Sequence, residues 1–222
     1  FILGLLLLFL MALFYGSPET KPIIKETSYN ASKVKIQSGD IVKKINNKKV
    51  KTIDDLMLEL QLIKEGENIS LVVERNGKLE NEVIIKPTKT EDGTYLYGLS
   101  FEGGIQKGFL KSIKYSFVKF ASIYRNMIKV IGSLFTGKLG INSLSGPVGV
   151  YNVIGEQSKL GFENVIYLAA YISINVGFEE LLQSCGVFGG FVPYLAQRDF
   201  EEQDTVVIFL YQMAQLGIFL LQ

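Results

Sequence analysis

There is no histidine anywhere in these 222 residues. A Ser–His or Cys–His nucleophile pair is therefore excluded, and so is any metal centre that uses imidazole. Cysteine is nearly absent: Cys185 stands alone, so no disulfide can form within the chain, and its apolar surroundings read as those of a small buried hydrophobe. Net charge is also missing. Lys+Arg 23 against Asp+Glu 22 gives +1, which points to no nucleic-acid partner. Carboxylates, lysines, tyrosines and one thiol are what remain for chemistry.

Charge is absent from three local runs as well. Residues 1–15 ("FILGLLLLFLMALFY"), 164–178 ("NVIYLAAYISINVGF") and 205–221 ("TVVIFLYQMAQLGIFLL") carry none, whereas 17–92 is dense in Lys, Asp and Glu. A helix needs about 20 apolar residues to cross a hydrocarbon core. The third run reaches that range, the second does so if it extends through Leu182, and the first falls short. A signal peptide is the weaker reading of the first run, which lacks a starting Met, a basic leader and a clear small-x-small cleavage site. It reads as the end of a transmembrane helix, and the chain as a fragment.

The polar region has its own pattern. Residues 22–27 predict a strand, and 38–50 a turn, a strand, an Asn-Asn turn and a short strand. A helix is predicted over 52–63, capped by Thr52, with Asp54 and Asp55 in its first turn and Ile53, Leu56, Leu60 and Ile63 on one face. Residues 68–86 alternate on either side of Asn76-Gly77, a strong hairpin signal. Through "KPIIKE", "SGDIVKKINNKKV" and "TIDDL" this region resembles a PDZ domain of the bacterial protease-associated type. The resemblance implies that an extended peptide adds as a strand to a sheet edge, with Ile23, Ile24, Lys25, Gly39 and Asp40 as candidate contacts. Lys35 stands where that family commonly has glycine, and a domain that only packs against its neighbours is the alternative.

Further on, residues 104–140 predict a basic amphipathic helix. Lys107, Lys111, Lys114, Arg125 and Lys129 fall within about 80° of one face. No acidic residue separates Glu102 from Glu156. Such a helix can lie in a headgroup layer with its lysines reaching phosphates, or it can pack on other helices. Apolar runs on both sides argue against nucleic acid.

"LSGPVGVYNVIG" (144–155) and "AAYISINVGF" (169–178) resemble the site-2 protease family of intramembrane zinc metalloproteases, in its bacterial branch that cleaves membrane-bound anti-sigma factors. In that family an H-E-x-x-H helix before the PDZ domain and a later Asp hold zinc, whose bound water attacks the peptide bond. Carried on in register from "SINVG", the family's Asn falls at Glu180, its prolines at Gln183 and Cys185, and its Asp ligand at Phe188. A phenyl ring cannot coordinate zinc, and Glu179, Glu180 and Cys185 make a poor substitute. The resemblance places membrane turns at Gly146, Pro147, Gly149, Gly189 and Gly190, and sets Asn175 toward substrate or a neighbouring helix.

The expected fold is that of a mixed membrane protein, α-helical transmembrane segments plus a PDZ-like α/β domain. A truncated helix (1–16), the PDZ-like domain (17–88), a linker with the basic helix (89–140) and a membrane region with two transmembrane helices (141–222) follow in order. The expected function is a fragment of a multi-pass zinc metalloendopeptidase of the cell membrane. Zinc belongs to the full-length family and is not expected to bind here, so this chain alone is expected to be inactive. Its expected partners are a membrane-embedded protein substrate, the lipid bilayer and a peptide at the PDZ-like domain. A non-catalytic membrane adaptor is the alternative.

Overall fold

The computed structural model describes residues 1–91, 93–101, 103–136, 159 and 161–184. Two compact units emerge, one formed by Phe1–Ser17 with Lys107–Gln222 and the other by Pro18–Gln106.

The first unit is helical in its described part, with α1 (Ile2–Phe14), α3 (Phe109–Phe135) and α4 (Phe162–Ser184). Every side chain of α1 is apolar, so packing rather than patterning decides which face it buries. Gly4, Leu8, Met11 and Ala12 face inward at helical spacing. Leu8 meets Ile123 and Met127 of α3 and Ala170, Tyr171, Ile174 and Phe178 of α4 in one core. Tyr124 and Phe178 close it edge to face, ring centroids 5.0 Å apart. The buried side of α3 is rich in serine. Ser112 Oγ donates to the Gly108 carbonyl at 3.1 Å and Ser116 Oγ to that of Ile113 at 2.8 Å, which lets small side chains sit in the interface without unmet donors.

Gly4 sets the α1–α4 distance. A Cβ there would lie 2.5 Å from Ile174 Cγ1 and 2.9 Å from the Ala170 carbonyl oxygen, and one at Gly177 would lie 2.9 Å from the Phe1 backbone nitrogen. Small residues of this kind let helix backbones approach where apolar burial alone gives little orientation.

Among the described residues no helix is long and apolar enough to cross a membrane. The reading of residues 164–182 as a transmembrane helix does not meet this measure and stays a proposal. α1 is apolar but has only 13 residues. α4 has the length, at 23 residues, but Glu163, Asn164, Asn175, Glu179 and Glu180 dilute it. The run at 205–221 lies outside the described residues. α4 also continues helically through Gln183, where the resemblance sets a proline. Gln keeps the amide hydrogen that proline lacks, so nothing breaks the ladder there.

The second unit holds eleven short strands at most in part: β1 (Ser17–Pro18), β2 (Ile24–Thr27), β3 (Ile41–Ile45), β4 (Lys48–Lys49), β5 (Ile69–Arg75), β6 (Lys78–Leu79), β7 (Val83–Ile85), β8 (Thr88–Lys89), β9 (Tyr95–Leu96), β10 (Leu99–Phe101) and β11 (Ile105–Gln106), with α2 (Ile53–Gln61) between β4 and β5. Strands β4-β3-β5-β6 form an antiparallel sheet, and β7 also pairs β5. Alternation along β5 buries Ile69, Leu71 and Val73 against Val42, Ile45, Leu56 and Ile85. Asn76 and Gly77 take φ of 50° and 78°, the tight hairpin their sequence predicts. α2 starts on a capping box. The Asp55 amide donates to Thr52 Oγ1 at 3.2 Å and the Thr52 amide to Asp55 Oδ2 at 3.1 Å. Residues 89–106, expected within the linker and basic-helix region 89–140, contribute β9, β10 and β11 and Lys89 of β8 to this unit.

Replacing Gly4 with Ala should lower the stability of the detergent-solubilised chain by about 1–3 kcal/mol, the usual cost of overpacking. Gly132→Ala is the control. A Cβ there meets nothing within 4 Å, so better helix propensity should stabilise by up to about 1 kcal/mol. Thermal unfolding followed by circular dichroism measures both, and equal effects would refute the close approach at Gly4.

Candidate functional site

Strand β2 carries three of the residues expected to meet a peptide, or adjoins them, and its first residue is bonded on both sides. On one side it pairs antiparallel with β10, Thr27 opposite Leu99 and Glu26 opposite Ser100. On the other, the Ile24 amide donates to the Asp40 carbonyl at 2.8 Å, the Gly39 amide to the Ile24 carbonyl at 2.8 Å, and Ile23 bridges Ile41. Ile23 and Ile24 are thus tied to the Gly39–Ile41 segment through their backbone. Ile24 is fully buried in the core. Gly39 holds the turn into β3 with φ of 89°.

Asp40 is 1% exposed and works as an anchor. Arg75 Nε donates to its Oδ1 and Arg75 Nη2 to its Oδ2, both at 2.7 Å, a bidentate clamp from the end of β5. The Gln37 amide donates to Oδ2 at 2.9 Å, and Arg75 Nη2 also reaches the Lys35 carbonyl at 3.1 Å. Burial alone would raise the Asp40 carboxyl. The Arg75 bonds, the Gln37 amide and the Arg75 charge together outweigh it and hold the group below the usual carboxylate range. The lysine at 35, anomalous in sequence, is thus held through its backbone.

The open backbone lies elsewhere. Among the described residues, β10 has a strand neighbour only in β2. Gly98, just before it, has φ of 71°, and a Cβ there would sit 2.1 Å from the Ser28 carbonyl oxygen, so only glycine fits. That oxygen belongs to the residue whose amide donates to Gly98 O at 2.8 Å. Beside this turn is a cavity of about 410 Å³ between the end of α2 and the β8–β9 hairpin. Leu60 and Ile63 give it apolar walls, Tyr95 and Tyr97 aromatic ones, and Lys64 and Glu65 one charge of each sign. Tyr97 is fixed by donating its hydroxyl to the Glu67 carbonyl at 2.8 Å. Burial, with the Glu67 charge second, pushes the Tyr97 phenol up, so it stays a neutral donor. Sequence reading missed this edge because β9 and β10 have two and three residues, too short for a period to show. The glycine in "YLYGLSF" was the available signal.

In the helical unit, Asn175 is 5% exposed. Its Nδ2 donates to the Tyr171 carbonyl at 2.8 Å, while Oδ1 is buried with no partner, as is Asn126 Oδ1 on α3. Gly146, Pro147, Gly149, Cys185, Phe188, Gly189 and Gly190 lie outside the described residues. Among the described residues, no group of three or more His, Cys, Asp or Glu could hold a metal ion. The described donor set does not fit zinc. Imidazole is absent from the sequence, and Glu163 and Glu180 stand near opposite ends of α4, on the order of 25 Å apart at 1.5 Å per residue.

Because the folded Asp40 carboxyl lies below its unfolded value of about 3.9, its clamp contributes fully above that pH. The contribution is lost as pH falls through the lower folded value. Protection of the β3 and β5 amides from hydrogen exchange, relative to their intrinsic rates, should therefore fall on acidification below about pH 4. Asp40→Asn should lower that protection at pH 7 and flatten the acid response. An Asn variant with an unchanged acid profile would refute the clamp.

Comparison with known proteins fits these observations to a family. Residues 1–182 match the family described as Peptidase family M50. The chain is 28% identical over 198 residues to the zinc metalloprotease RasP of Shouchella clausii, covering 88% of this chain and 47% of that protein. It is 26% identical over 197 residues to the regulator of sigma-W protease RasP of Bacillus subtilis, with the same two coverages. The chain thus spans about half the length of the curated relatives it matches. Of solved structures, the PDZ domain of an SdrC-like protein from Listeria monocytogenes is similar at 19% identity and a TM-score of 0.29. It covers 40% of this chain and 90% of that one. Zinc is the metal of the full-length relatives, and the proteases of this family are membrane-associated. With a match that runs from Phe1 to Leu182, this chain belongs to peptidase family M50, the site-2 protease family.

Proposed function

We propose that this chain is the substrate-handling portion of an intramembrane zinc metalloendopeptidase, a multi-pass protein of the cell membrane that cleaves a membrane-embedded protein substrate. The observation that carries the reading is a family match across residues 1–182 in a sequence with no histidine. The helices and the strand unit are those of a protease, and the metal-binding imidazoles are not in this chain. On this reading the isolated chain cuts nothing and holds no catalytic zinc.

The Pro18–Gln106 unit serves as the PDZ-like, peptide-binding part. A segment of substrate adds as a strand along β10, opposite β2, and its end enters the cavity between Leu60, Ile63 and Tyr97. Lys64 at the cavity supplies a positive charge for a terminal carboxylate. Because this unit needs no metal, a non-catalytic adaptor that only captures peptides is the second reading. The donor set of the described residues favours it.

Two measurements separate the readings. The purified chain, incubated in detergent with a single-span membrane protein and added zinc, should show no chelator-sensitive cleavage and no stoichiometric metal. Cleavage abolished by chelation would overturn inactivity. A valine-terminated pentapeptide with a free carboxylate should slow exchange of the Leu99–Phe101 amides. Lys64→Glu or C-terminal amidation should each weaken it roughly fivefold, the worth of about 1 kcal/mol for an exposed charge pair. Protection elsewhere than β10 would remove the strand-addition site.

A further inference from the structure

The helical unit leaves a large apolar surface uncovered, and it adjoins a basic one. α3 buries Tyr115, Ile123, Met127 and Val130 on one side. Its other side splits into two stripes. Leu110, Phe117 and Ile128 project within about 20° of one another at 100° per residue, and they are 78%, 58% and 50% exposed. Lys111, Lys114, Arg125 and Lys129 fill the adjoining sector, and Lys107 lies two residues ahead of the helix. α1, packed against α3, turns Ile2, Leu3, Leu6 and Phe14 outward, between 49% and 86% exposed.

Water does not favour such a surface. An acidic protein would answer the lysines, but a protein interface carries a polar rim, and α1 has no polar side chain from Ile2 to Phe14. A bilayer with acidic headgroups answers both stripes at once. Apolar side chains enter the acyl boundary while lysine stems run along it and place their ammonium groups among phosphates. The charge pattern fits that occupant. No acidic residue lies along the sequence between Glu102 and Glu156, so the helix itself is of one sign. Lys111 also sits in the first turn of α3, where the positive end of the helix dipole disfavours a cation. A phosphate beside it relieves both repulsions.

We propose that α3 is an acidic-phospholipid contact: Leu110, Phe117 and Ile128 seat it in the bilayer surface, and Lys107, Lys111 and Lys114 bind anionic headgroups. The inference rests on the membrane placement proposed above and adds the lipid class and the residues that select it.

The test uses the full chain with Cys185→Ser and an environment-sensitive fluorophore on Ile128→Cys, reconstituted into nanodiscs of phosphatidylcholine with or without phosphatidylglycerol. With phosphatidylglycerol the label should shift to the blue and be quenched by nitroxides placed near the headgroup. Lys107→Gln, Lys111→Gln and Lys114→Gln should lower the seated fraction by about fivefold for each lysine removed. Equal spectra in the two lipids, or a triple variant that behaves as the parent, would overturn the lipid selectivity while leaving the membrane placement intact. A chain recovered free of lipid under both conditions would overturn the placement, and this inference with it.

Discussion

The separation of α1 and α4 is set where side chains are missing. At Gly4 the α1 backbone lies against Ile174 and the Ala170 carbonyl, and at Gly177 the α4 backbone lies against Phe1. With the two backbones that close, Leu8 reaches a layer made by Ile174 and Phe178, and α3 completes it with Ile123 and Met127. A helix without polar residues has no preferred face of its own, so this steric fit gives α1 its orientation. It also leaves the opposite side of α1 apolar and bare, and puts the amide of Asn175 under cover with one acceptor unmet. An unmet acceptor in such a setting costs free energy unless a donor reaches it.

The strand unit follows a different rule, in which edges decide what can happen. The start of β2 is bonded to the Gly39–Ile41 segment, and Asp40 is clamped by Arg75, so the segment from Lys35 to Asp40 is framework. Among the described residues the neighbouring β10 pairs only β2, with a glycine-dependent turn and a cavity at its start. Clamp and open edge are complementary, because a strand that receives another must itself be held still.

How much of this was legible in the sequence depended on the range of the interaction. Thr52 with Asp55, Asn76 with Gly77 and the β5 alternation are local, and each appeared where the residues predict it. The family resemblance, carried by "SINVG" and its surroundings, also held. What failed to show was the long-range part. Nothing local tells that Arg75 reaches back to Asp40, or that Leu99 pairs with Thr27. Asp40 looked like a binding residue because its motif is recognisable, and the structure puts its carboxylate in a clamp. Two-residue strands such as β9 and β11 cannot display alternation, which is why residues 89–106 read as a linker. The transmembrane reading of α4 rests on an uncharged middle, and the polar residues at its ends lower its hydropathy as a whole.

The strand unit closes on itself where it begins and ends. The Glu19 amide donates to the Gly104 carbonyl at 2.8 Å, and Gln106 Nε2 donates to Glu19 Oε2 at 3.1 Å. A module whose entry and exit are tied side by side occupies a single attachment point in the chain. Evolution can lengthen it, duplicate it or trade it for another such cassette without rethreading the helices that flank it in sequence. Selectivity for what is captured can then diverge independently of the machinery that acts on the captured segment.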